Sequence, residues 1–184
     1  MKYVFTSLFL AALMAFAFSA EAQENYSSAI KTPRYMNPDR PLYFTIGAGP
    51  AFSTGLDSDE TMVDLYASVN RNFSEYIAGK LIGDVIMGGG ANSARLITGG
   101  VGLDFYVKGP TDAMRPYVTI DAGAGFARNG SAETRDAAEF GLGGGFRSSS
   151  ERANFDLSLQ YRVLGAQIRD ETPSALSLRV AGNF

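Results

Sequence analysis

The chain contains no cysteine, no histidine and no tryptophan. Without cysteine there is no disulfide framework, no thiolate metal site, no cysteine nucleophile and no lipid-modified N-terminal Cys. Without histidine it loses the commonest general base and the commonest metal ligand. Excess charge is missing too: 16 Lys and Arg stand against 19 Asp and Glu, a formal net charge of −3. No basic stripe breaks that balance, so nucleic acid is not an expected partner. Past the N-terminal segment there is no apolar run long enough for a membrane helix. What the chain has instead is glycine and aromatics, with 21 Gly, 13 Phe and 9 Tyr in 184 residues. Disordered glycine-rich chains are poor in such aromatics, so the chain is expected to fold, and its length suits one domain.

Met1-Lys2, an apolar run from Tyr3 to Phe18, and Ser19-Ala20-Glu21-Ala22 make up a secretory signal peptide over residues 1–22. A membrane anchor would need about 20 apolar residues and a basic stop-transfer cluster. Cleavage removes Lys2 and Glu21, so the charge stays −3. Residues 23–41 lack apolar periodicity and hold Pro33, Pro38 and Pro41, which reads as an extended periplasmic N-terminal arm.

From Leu42 to Phe184 apolar residues recur at every second position, in eight segments. The seventh sets Phe155, Leu157, Leu159, Tyr161 and Val163 against Asp156, Ser158, Gln160 and Arg162. The fourth sets Ile97, Val101, Leu103, Phe105 and Val107 against Thr98, Gly100, Gly102, Asp104 and Tyr106. Such alternation means strands with one apolar face, though not what that face meets. Segments of about 10–12 residues suit a tilted membrane strand better than the usual 5–6. The opposite face carries glycine, and charge on every segment but the first. A narrow lumen accepts small and polar residues of this kind. The expected fold is all-β, an eight-stranded antiparallel up-and-down transmembrane β-barrel over residues 42–184, closed because lipid leaves no partner for a sheet edge.

Two aromatic groups support it. Phe44, Phe73, Phe105, Phe146, Phe155 and Phe184 fall at one end of the meander, and Phe52, Phe126, Phe140 and Tyr161 at the other. Girdles at both interfaces are expected of membrane barrels. An even strand count puts both mature termini on the side of the short turns, the periplasm.

The terminal Leu176-Ser-Leu-Arg-Val-Ala-Gly-Asn-Phe184 resembles the last strand of bacterial outer-membrane barrels. The hairpin from Gly99 to Tyr106 and Arg115 to Phe126 resembles that of the small outer-membrane β-barrel domain family, an OmpA-like barrel without the peptidoglycan-binding domain. The resemblance implies a bacterial outer-membrane location. It implies outer-membrane lipids as surroundings and recognition by the barrel assembly machinery through Leu176, Leu178, Val180 and Phe184. A monomer is expected. Barrel enzymes of similar shape use a catalytic histidine, which this chain lacks, so no catalytic, cofactor or metal residue is assigned. Asp57-Ser-Asp-Glu60 lacks calcium-loop spacing and reads as a solvated acidic turn.

The lumen carries the informative chemistry. Asp64, Asp84, Asp104, Asp121, Glu139 and Asp156 are set against Lys80, Lys108, Arg147, Arg162 and Arg179. The near balance predicts pairing, because an unpaired charge there is costly. Matched depth on neighbouring strands suggests Lys80 with Asp104, Glu139 with Arg162 and Asp156 with Arg179. A hydroxyl added to the lumen face at Gly102 should be milder than a charge on the lipid face at Leu103. The function expected is that of a non-enzymatic outer-membrane protein, structural or surface-interacting; the alternative is a narrow porin-like channel or small-solute transporter.

Overall fold

A computed structural model describes residues 42–54, 62–88, 95–109, 114–128, 134–148, 155–165 and 174–184. The signal peptide, the N-terminal arm and the Asp57–Glu60 turn lie outside the described residues. Eight strands follow in chain order: β1 (Leu42–Thr54), β2 (Met62–Asn72), β3 (Ile77–Met87), β4 (Arg95–Tyr106), β5 (Met114–Arg128), β6 (Arg135–Ser148), β7 (Phe155–Leu164) and β8 (Ser174–Asn183). Each pairs antiparallel with its sequence neighbours, and β1 pairs with β8, so the sheet is a closed barrel. Phe44 and Phe184 exchange both backbone hydrogen bonds, at 3.1 and 2.9 Å, and complete the seam at one end. Among the described strands no edge is left to seek a partner.

Register sets the tilt. A ladder of paired residues runs Ala137, Gly125, Thr98, Asp84, Tyr66, Gly47, Ala181, Asp156, Arg147, and so returns to β6 ten residues along. With a strand spacing of about 4.8 Å and a rise of about 3.3 Å per residue, that stagger over eight strands means a tilt of about 40°. Allowing for it, Phe44, Phe105, Phe146, Phe155 and Phe184 come to one level around the wall. Phe52, Phe126, Phe140 and Tyr161 form a second level about 20 Å away, close to the apolar band of about 25 Å in such barrels.

Burial is inverted relative to a water-soluble protein. Along β7, Phe155, Leu157, Leu159, Tyr161 and Val163 are exposed, while Asp156, Ser158, Gln160, Arg162 and Leu164 are buried. The largest fully buried side chains are arginines, Arg115, Arg147, Arg162 and Arg179. Phe140 is 60% exposed and Phe44 55%. In water such a surface would be one continuous apolar patch, far beyond the few hundred Å² that soluble monomers show. The molecule is a transmembrane barrel.

Glycines on the inner face let strands and side chains close in. A Cβ at Gly102 would overlap the Asp121 carboxylate and crowd Lys80 Cε at 2.5 Å, so the lumen has no room at that point. Outward-facing Gly83 has nothing within 4 Å of such a Cβ. Gly83→Ala is therefore expected to change stability by less than about 0.5 kcal/mol, whereas Gly102→Ser costs about 1–3 kcal/mol by overpacking. Leu103→Arg costs about 2–4 kcal/mol near the midplane. Urea titration of the three variants in lipid vesicles checks the order.

Candidate functional site

The strands deliver the lumen side chains in three tiers. At the end where β1 finishes and β2 begins, Ala51, Met62, Ile86, Leu96, Ala127, Leu164 and Ala175 pack into one apolar cluster, each no more than 2% exposed. These positions face inward because they keep the same alternation as Asp64, Asp84 and Arg162. They are apolar because they meet one another and not an ion. The result is a lid across the bore.

Beneath the lid lies a tier of charge. Arg162 Nη2 is 2.5 Å from Asp84 Oδ2 and 3.5 Å from Asp64 Oδ2, and its Nε is 3.2 Å from Glu139 Oε1. Arg179 donates from Nε to Asp64 Oδ2 at 2.8 Å and from Nη2 to Asp84. Its guanidinium lies over the Tyr66 ring, 4.4 Å from the centroid. Two guanidinium forks thus hold three carboxylates, with β2, β3, β6, β7 and β8 tied across the bore.

Lower still, Lys80 Nζ lies 2.9 Å from both Asp104 Oδ1 and Asp121 Oδ1, and donates to Thr119 Oγ1 at 2.5 Å. Arg147 continues the network, with Nη2 3.3 Å from Asp104 Oδ2 and Nε 2.8 Å from Asp156 Oδ2. Three tyrosines enclose this guanidinium. Tyr43 and Tyr106 accept from Nη1, Tyr117 donates to Asp156 Oδ1 at 2.7 Å, and all three ring centroids lie 5.1–5.5 Å from Arg147 Cζ. Between the two charged tiers is a void of about 10 Å³ bounded by Asp84, Thr98, Asp121, Glu139 and Arg162. That is the size of one water molecule.

Ten of the eleven lumen charges assigned from alternation, Asp64, Lys80, Asp84, Asp104, Asp121, Glu139, Arg147, Asp156, Arg162 and Arg179, point into this interior. Lys80 with Asp104 and Glu139 with Arg162 meet as the spacing suggests. Asp156 and Arg179 do not pair. In the register Asp156 stands opposite Arg147, and Arg179 stands opposite Ser158, so each finds a nearer partner on its other side. Lys108 is also corrected. It lies past the end of β4, exposed, and only its carbonyl engages the interior face, accepting from Arg115 Nε at 3.1 Å. Arg115 itself is the second residue of β5 and stacks 3.9 Å over Tyr106. The lid was not visible in the alternation either. Its members end their strands, where apolar pairs such as Met62–Val63, Ile86–Met87, Leu96–Ile97 and Val163–Leu164 break the period; those doublets were the available signal.

The fold is similar to that of the solved structure of Neisserial surface protein A. It covers 78% of this chain and 97% of its own length, at 13% identity and a TM-score of 0.63. The fold is that of the small outer-membrane β-barrels. Two others have the same coverage of their own chains, 97%, at TM-scores of 0.48 and 0.47. They are the N-terminal barrel domain of Pseudomonas aeruginosa OprF, at 12% identity over 77% of this chain, and Ail of Yersinia pestis, at 16% over 78%. No protein-family model matches the chain, and no curated protein does.

In this small barrel the pairing pattern sets the energetics. Lys80→Ala takes from Asp121 its lysine partner and leaves Asp104 with Arg147 alone, and removing one partner of a buried pair costs about 3–5 kcal/mol. Adding Asp104→Asn should recover only part, because Asp121 stays unpaired, with a coupling of about 0.5–3 kcal/mol. Arg147→Gln and Asp156→Asn should couple likewise, whereas Asp156→Asn and Arg179→Gln should add independently. Double-mutant cycles from denaturant unfolding in vesicles measure all three.

Proposed function

We propose that this chain is a non-enzymatic outer-membrane protein with a closed lumen, structural or surface-interacting in role. The observation that carries this reading is the lid. A bore crossed by seven apolar side chains and then by two ionic tiers offers no continuous polar path. An eight-stranded barrel has an interior just wide enough for side chains to fill, which favours a packed core over a passage. The alternative, a narrow porin-like channel or small-solute transporter, would require both the apolar lid and the ion pairs to part.

Absence of catalysis is supported by the chemistry available. The chain has no histidine, and the lumen lysine, Lys80, is held by two carboxylates and Thr119 under the lid. A lysine so engaged does not serve as the base for a serine nucleophile. In this reading the barrel sits as a monomer in the bacterial outer membrane. The Leu42 and Phe184 end faces the periplasm, and lipid covers the wall. Leu176, Leu178, Val180 and Phe184 face outward on β8 and present an apolar, aromatic-ended edge to the assembly machinery before the β1–β8 seam closes.

Planar-bilayer recording tests the closed lumen. The wild-type barrel and Lys80→Ala should both be silent, since the lid survives loss of the ion pair. Leu96→Ala with Leu164→Ala and Lys80→Ala together should give ion current. Unitary steps in the wild type would move the reading to the channel. For assembly, Phe184→Ala should lower inserted yield in cells several-fold while lowering the stability of the folded barrel little; unchanged yield would remove β8 as a recognition element.

A further inference from the structure

Three buried polar atoms of the upper ionic tier have no hydrogen-bond partner: Asp84 Oδ1, Glu139 Oε2 and Arg162 Nη1. Their residues are engaged through their other atoms. Arg162 spends Nε on Glu139 Oε1 at 3.2 Å and Nη2 on Asp84 Oδ2 at 2.5 Å, which leaves one end of each side chain over. None of the three side chains is more than 8% exposed, so bulk water does not serve them. Buried charged groups with an unmet donor or acceptor are rare in folded proteins, because each carries its full desolvation cost.

All three residues line one space, the void of about 10 Å³ between the tiers. Thr98 and Asp121 line it too, and Asp121 belongs to the lower tier through Lys80. Dry cavities in proteins are apolar. A polar cavity of one probe volume, with two to four hydrogen-bonding groups on its wall, holds a water molecule.

The balance of donors and acceptors names the occupant. Arg162 Nη1 can only donate, and an ionised carboxylate oxygen can only accept. Water accepts from the first and donates one proton to each of two oxygens. A cation would meet a guanidinium N–H, and an anion would meet two carboxylates. Among the described residues no group of acids is arranged to hold a metal ion.

The geometry points to a binding site for one water molecule inside the barrel, held by Arg162 Nη1, Asp84 Oδ1 and Glu139 Oε2 and standing against Asp121, so that it joins the upper ionic tier to the lower. The lid lies directly over it. Ile86, Leu96 and Leu164 are the next inward residues after Asp84, Thr98 and Arg162 on β3, β4 and β7. The lid thus keeps bulk water from competing for these groups, and hydrogen bonds in such a dry place polarise one another. Occupancy of the site does not depend on whether the barrel conducts, so the two can fail separately.

Crystallography of the folded wild-type barrel, at a resolution that shows ordered solvent, tests the site without any substitution. One isolated density peak within hydrogen-bond distance of all three atoms is expected. An empty void, or Arg162 Nη1 turned onto a protein acceptor, overturns the site. The link between tiers is tested by a double-mutant cycle of Glu139→Gln and Asp121→Asn, read from unfolding equilibria in vesicles. The double variant should depart several-fold from the product of the single effects on the unfolding constant. Thr98→Leu, which extends an apolar chain into the void, should remove both the peak and most of that departure. Thr98→Val, which loses the hydroxyl at equal size, should keep both. Additive effects in the wild-type background overturn the link. So does a departure that survives loss of the peak in Thr98→Leu, since direct repulsion between the two carboxylates then accounts for it. Loss of the departure in Thr98→Val with the peak retained assigns it to the hydroxyl and overturns the link as well. Heat-modifiable gel migration shows which variants fold, and if Thr98→Leu does not, the wild-type density decides the site.

Discussion

Every backbone N–H and C=O that crosses a bilayer must find its partner inside the protein, because hydrocarbon offers none. In this chain that requirement is met by the β1–β8 seam, where Phe44 and Phe184 exchange hydrogen bonds and β8 closes on β1. Closure with a ten-residue stagger then dictates the rest. It tilts the strands, sets the bore, and sends every second side chain either to lipid or into a space too narrow for bulk water. The wall must be apolar because it meets lipid. The interior is free to be polar provided its charges meet one another.

The lumen meets that condition by sharing. No carboxylate of the upper tier has an arginine to itself: Asp64 and Asp84 both contact Arg162 and Arg179, and Arg162 reaches Glu139 as well. Lys80 and Arg147 share Asp104 in the same manner. Such networks replace the hydrophobic core of a soluble domain, and each strand is tied to others across the bore and not only to its neighbours. The lid of Met62, Ile86, Leu96 and Leu164 is an apolar tier that separates the ionic tiers from the end where β1 finishes and β2 begins.

Architecture was legible in sequence because period-two alternation is a local property. Residues such as Leu157 and Ser158 declare their faces without knowledge of any partner. Ion pairs on adjacent strands at equal depth, Lys80 with Asp104, were legible for the same reason. The Arg179–Asp64 contact was not, because it depends on which strands meet across the closed bore. Asp156 was misassigned since direct opposition to Arg147 requires the exact register of β6 and β7. The crowding at Gly102 follows from the reach of Lys80 across to Asp121, which alternation does not report. The lid escaped notice because strand ends are where alternation is shortest and loops intervene.

The account depends most on which face of the sheet meets lipid, and the absence of cysteine lets a single label be placed at will. Nitroxides attached one at a time to cysteines at positions 157 to 161 of β7, in the barrel reconstituted in bilayers, report oxygen accessibility by power saturation. The account predicts a period of two: high oxygen collision rates for labels replacing Leu157, Leu159 and Tyr161, and low rates for those replacing Ser158 and Gln160. Uniform accessibility, or the opposite phase, would contradict it.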